Sequence, residues 1–107
     1  MIVIIIYFTA TFTNIVTQVT ESTITGTFDD ITQNNNLPNA NYEVVLRDAN
    51  GNIVDTKYYD PRNAQNGLVE FGFNNLSPNT DYNVQVKVTT DEGTFPLNTF
   101  NTQTLGE

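Results

Sequence analysis

Apolar and polar residues alternate with a period of two along much of the chain. Residues 82–89 show this most clearly: Tyr82, Val84, Val86 and Val88 alternate with Asn83, Gln85, Lys87 and Thr89. Successive side chains of a strand point to opposite faces, so the pattern predicts a half-buried β-strand. Residues 22–28 (STITGTF) repeat it, with Ile24, Gly26 and Phe28 on one face and threonines on the other. A glycine on the core face weakens a strand unless something bulky approaches, so Gly26 is expected beneath an aromatic ring. Tyr42, Val44 and Leu46 alternate with Glu43, Val45 and Arg47, and Val69, Phe71 and Phe73 form the apolar side of a further strand.

Punctuation falls between these runs. Residues 48–52 (DANGN) predict a hairpin, with Asn50 and Gly51 suited to the positive-φ positions of a tight turn. Residues 53–59 form the returning strand. Residues 29–41 and 61–67 read as polar loops, and residues 91–93 turn the chain into a last strand, 94–104, bent near Pro96. Residues 13–19 either continue a first strand or form a short second one. No helical period appears. Short strands with turn signals roughly 8–12 residues apart predict an all-β, two-sheet antiparallel sandwich.

The first eight residues, MIVIIIYF, break the alternation. They have no basic region before them and no clear cleavage site after them, so they do not read as a signal peptide. They are also far too short to span a bilayer as a helix. Branched residues on both faces predict a strand covered on both sides. Ile2, Ile4, Ile6 and Phe8 define one face, and Val3, Ile5 and Tyr7 the other. The domain division that follows is an apolar N-terminal strand and candidate assembly arm at 1–14, then a sandwich at 15–107. Whether residues 1–8 pair within the chain or with a neighbour stays open.

The stretch LSPNTDY (76–82) explains how the chain crosses between sheets. Leu76 can plug the end of the core, Pro78 fixes the turn, and Tyr82 can place its ring inside while its hydroxyl reaches an upstream backbone group. That is the physics of a tyrosine corner. With Val84, Val86 and Val88 following, this stretch resembles the corner and next strand of a fibronectin type III domain. Residues 19–28 resemble the family's first hairpin, with Phe28 where the family usually has tryptophan, and Tyr42, Val44 and Leu46 resemble its third strand. The resemblance covers roughly residues 15–104. Departures are Phe28, the inward Gly26 and the apolar segment before residue 9. The resemblance implies an immunoglobulin-like sandwich without enzymatic activity, serving as spacer, adhesion or recognition module in animal proteins, bacterial extracellular enzymes or bacteriophage virions. The Arg-Gly-Asp tripeptide of some members is absent, so integrin binding does not carry over.

Composition narrows the chemistry. The 107 residues suit one domain, and 12 acidic against 4 basic residues give a net charge of −8. Such a chain repels phosphate backbones and anionic membranes, which predicts neither nucleic-acid binding nor membrane insertion. With no His and no Cys, the usual acid–base, thiol and transition-metal arrangements are excluded, and neither Ser22 nor Ser77 has a catalytic partner. No catalytic residue and no cofactor are predicted. Residues 48–59 fail as a calcium loop, because Ile53 and Tyr59 stand where Gly and Glu are needed. Asp29 and Asp30 could join Asp91 or Glu92 at a hard cation, but ordinary loop acidity explains them better. Asn75, Leu76 and Ser77 match a glycosylation pattern that overlaps the corner and reads as coincidence.

Two functions remain. One is a structural and assembly module, a repeated component of a phage particle or extracellular filament, which adds residues 2–8 to a neighbour's sheet edge. The other is a monomeric adhesion or recognition module binding a glycan or a host-surface protein through the loops at 34–39, 61–67 and 91–93. Tyr58, Tyr59 and Arg62 are the surface-contact candidates, because exposed tyrosine beside arginine is a common interface composition. Either function places the chain in a virion or at an extracellular surface.

Overall fold

A computed structural model describes residues 15–32, 39–91 and 93–106. The strands are β1 (Ile15–Val19), β2 (Ile24–Asp29), β3 (Asn41–Asp48), β4 (Ile53–Tyr59), β5 (Leu68–Phe73), β6 (Asp81–Thr90) and β7 (Gly93–Gln103). They form a three-stranded sheet in the order β1-β2-β5 and a four-stranded sheet in the order β4-β3-β6-β7, with every pairing antiparallel. This is an immunoglobulin-like sandwich. Residues 2–8 and the segment 33–38 lie outside the described residues, as does Glu92.

The core follows from the alternation. Ile24 and Phe28 of β2 meet Tyr42, Val44 and Leu46 of β3 and Val84, Val86 and Val88 of β6, all fully buried. Burying one such side chain stabilises the fold by about 1.5–3 kcal/mol. The Phe28 ring stands edge-on to Tyr42, with centroids 4.9 Å apart and planes at 77°, an arrangement the ring quadrupole favours. Gly26 sits against Phe71. A Cβ built there would lie 2.7 Å from both the Phe71 ring and the Val16 carbonyl oxygen, so only glycine fits.

Two local readings change. Asn50 does not adopt positive φ; Gly51 alone does, at 85°. Gly51 N donates to the Asp48 carbonyl at 3.0 Å, and Asp48 Oδ1 accepts from the backbone of Asn50 and Asn52. The carboxylate therefore shapes this turn as much as the asparagine–glycine pair does. The paired positive-φ turn occurs instead at Asn66 (53°) and Gly67 (78°), between Gln65 and Leu68, whose backbones exchange two hydrogen bonds. In addition, residues 61–63, read as loop, form one 3₁₀ turn whose first N–H group is removed by Pro61. At Pro96 the last strand bulges: Lys87 faces Pro96 and Val86 faces Asn98. The extra residue, Leu97, turns into the core.

Candidate functional site

Outward-facing residues of the four-stranded sheet fall into cross-strand rows. Arg47, Asn83 and Asn101 make one row, and Val45, Gln85 and Thr99 the next. Asn83 Nδ2 donates to Asn101 Oδ1 at 3.0 Å, and Arg47 Nη1 donates to Gln85 Oε1 at 2.8 Å. Val45, grouped with polar neighbours in the alternation, is only 1 % exposed. Its register places it beside the linked Arg47 and Gln85, so this outer face has an apolar centre of its own. Toward the hairpin end lies an open groove of about 820 Å³, lined by Arg47, Asp81, Asn83, Asn101 and Gln103 among others.

Along the β4 edge of the same sheet, apolar side chains stand in solvent. Tyr58 is 72 % exposed, Ile53 61 % and Val54 46 %. Tyr58 pairs with Glu43 and Ile53 with Arg47, which places both on the outer face with the polar rows. Three of the chain's 4 basic residues, Arg47, Lys57 and Lys87, lie on this sheet, and none lies on the three-stranded sheet.

The surface trio separates. Tyr59 is half-buried against the core, and its hydroxyl accepts from Gly72 N of β5 at 3.2 Å, tying the two sheets. Burial raises its pKa above the ordinary tyrosine value. Arg62 is exposed but turned onto Asp60, with Nη2 2.9 Å from Oδ2. That guanidinium hydrogen bond holds the Asp60 carboxyl below its usual value. Tyr58 and Arg62 both present their side chains to solvent, but of the two only Arg62 is engaged in an ion pair.

The corner residues Leu76, Pro78 and Tyr82 occupy the connection between β5 and β6. Tyr82 is buried, and its hydroxyl accepts from Ser77 N at 3.0 Å. Pro78 is exposed, and Leu76 is half-buried against the core rather than sealed within it.

Alternation did not reveal the Thr104 strap. Thr104 is 2 % exposed, donates its hydroxyl to the Ser77 carbonyl at 2.6 Å and accepts from Thr80 N at 3.1 Å. At the opposite end Asp30 is a structural acceptor. Its Oδ1 takes the Tyr42 hydroxyl and the Thr32 hydroxyl, both at 2.7 Å, and Thr32 N at 2.9 Å. Tyr42 in turn accepts from Ile31 N at 2.8 Å, and burial followed by the Asp30 hydrogen bond pushes its pKa far up. Asn39 Nδ2 reaches Asp91 at 3.5 Å across the loop end. Among the described residues, no three acidic side chains converge as a metal cluster.

The family model for the fibronectin type III domain matches residues 11–100. The chain belongs to the fibronectin type III family. Its fold is not one associated with catalysis, and the domain is a non-catalytic module. Among solved structures it is similar to a computationally redesigned β-sandwich protein, with 18 % identity and a TM-score of 0.72; the match covers 92 % of this chain and 98 % of the other. It is also similar to the sensor domain of the anti-sigma factor RsgI4 of Pseudobacteroides cellulosolvens. The longer form of that domain gives 15 % identity and TM-score 0.51, covering 89 % of this fibronectin type III domain and 91 % of the sensor chain. The shorter form gives 16 % and 0.53, covering 89 % and 96 %. No curated protein sequence matches the chain.

Proposed function

We propose that this fibronectin type III domain is a recognition module at an extracellular surface, contacting a protein partner across the outer face of its four-stranded sheet. One observation carries the reading: Tyr58 and Ile53 stand exposed on the same face as an open groove of oriented amides and one guanidinium. Exposed aromatic and apolar anchors beside positioned polar groups have the composition of a protein contact. The only aromatic residue lining the groove is Tyr82, which is buried, and so it offers no exposed ring for a sugar to stack on. This favours protein over glycan. The loop end is the weaker candidate, because Asp30 there already serves the fold and Arg62 is paired with Asp60. The similarity to a bacterial sensor domain supports recognition ahead of a role in a virion.

Selecting peptides from a random display library against the immobilised domain tests this. Selected binders are expected to shift the amide resonances of Tyr58, Gln85 and Asn83 and to lose at least tenfold in affinity with Tyr58→Ala. Binders that shift only loop residues would overturn the reading. A positive glycan array with no peptide selected would move it to a carbohydrate ligand. The second reading is assembly through residues 2–8 by β-strand addition, and β1, which among the described residues pairs with β2 alone, favours it.

A further inference from the structure

Each sheet of an open sandwich has two edges, and natural proteins blunt such edges with inward charges, prolines, bulges or covering groups. Three of the four edges here carry such a device. On β4, Lys57 pairs with the buried Val44 and so points inward, and the strand is kinked by a register shift at Leu46 and Arg47. On β7, Pro96 removes a donor beside a second bulge. On β5, Gln65 bridges Leu68 and the Tyr59 hydroxyl takes the Gly72 amide. On β1, IVTQV contains no proline, glycine or charge, and among the described residues it pairs with β2 alone. Its outward Val16 is 66 % exposed and borders a groove of about 360 Å³ with Gln18, Thr25, Thr27 and Glu70.

The chain itself contains a segment of matching chemistry. Residues 2–8 are apolar on both faces and uncharged, and they precede β1 through residues 9–14, TATFTN. That connection has no Gly, Pro or Asp and a single Asn, so it lacks the residues that favour a tight reversal onto its own β1. Threonines alternating with Ala10 and Phe12 instead favour continued extension. At about 3.3 Å per residue an extended arm reaches roughly 40 Å.

We infer that the open β1 edge accepts residues 2–8 of a second copy of this chain, adding a fourth strand to the three-stranded sheet. One face of the arm then continues the core past Ile15 and Val19, and the other lies beside Val16. The recognition face is on the other sheet, so either proposal can fail without the other.

The absence of native cysteine makes the test clean. One full-length chain carries Gln18→Cys, at an exposed position, and another carries Ile4→Cys, Ile5→Cys or Ile6→Cys to cover both registers. Thermal melts first establish that each chain folds. Oxidising the two single-cysteine chains together is expected to give a mixed disulfide dimer for at least one arm position, since bridging demands Cβ atoms about 3.5–4.5 Å apart. Val16→Lys should reduce its yield at least tenfold. The inference is overturned if a chain carrying both cysteines closes only on itself, if Gln18→Cys dimerises only with itself, or if folded chains do not crosslink. An unchanged yield with Val16→Lys would overturn it as well.

Discussion

The two sheets share one core but meet solvent in different ways. The four-stranded sheet has long strands, two bulges and an outer face of amides, threonines and charges. The three-stranded sheet is short, carries Gly26 in its central strand and Gly72 in its edge strand β5, and among the described residues leaves the β1 edge unpaired. Burial explains stability in both, yet surface chemistry divides them: one sheet presents side chains, and the other presents backbone. A partner reading side chains and a partner adding a strand would therefore use different sheets.

The largest break in this comparison is at their shared centre. Phe28→Ala should cost about 3–5 kcal/mol, because the cavity opens under both Tyr42 and Phe71. Urea denaturation would show it as a lower midpoint at unchanged slope. Gly26→Ala should cost about 1–3 kcal/mol through overpacking, which falls on the three-stranded sheet alone because the obstructing Val16 carbonyl is its own backbone. Hydrogen exchange should then quicken in β1 before it does in β3.

Tyrosine hydroxyls join the sheets, and removing them ranks next. Tyr42→Phe or Tyr82→Phe should each cost on the order of 1–2 kcal/mol, since Ile31 N or Ser77 N loses its acceptor. Tyr42 adds a pH signature. Its folded pKa lies above the unfolded value, so its contribution is complete below about pH 10 and falls as alkali drives the unfolded chain to ionise. Stability measured between pH 9 and 11 should decline less steeply in Tyr42→Phe than in the parent. The smallest effect sharpens the contrast most. Tyr58→Ala should change stability by no more than about 0.5 kcal/mol, because its side chain stands in solvent. A larger loss would mean that Tyr58 belongs to the fold and is no free contact.

Periodicity exposed the sandwich because each strand carries its own signal: Val84, Val86 and Val88 need only their neighbours to declare a buried face. The corner was legible for the same reason, as Leu76, Pro78 and Tyr82 are close in sequence. Turn chemistry was less secure. Asn50-Gly51 and Asn66-Gly67 look alike in sequence, and the Asp48 carboxylate decides that only the second pair adopts positive φ at both residues. The bonds of Asp30 to Tyr42 and of Thr104 to Ser77 span 12 and 27 positions, so no local pattern announces them. Tyr58 and Tyr59 were separable by strand parity, but which tyrosine faced inward depended on a register fixed by the partner strand.

The Thr104 strap bears on how this domain opens. Thr104 N donates to the Thr80 carbonyl, Leu105 N to the Thr20 carbonyl, and Asn79 N returns a bond to the Leu105 carbonyl. Two residues at the end of β7 thus clasp the corner between the sheets and the turn joining β1 to β2. Neither sheet can peel away alone while that clasp is closed, and the clasp has no partners until both sheets exist. Partial opening is penalised at this end of the sandwich, and the amide protons of Thr104 and Leu105 should exchange only when the whole domain unfolds.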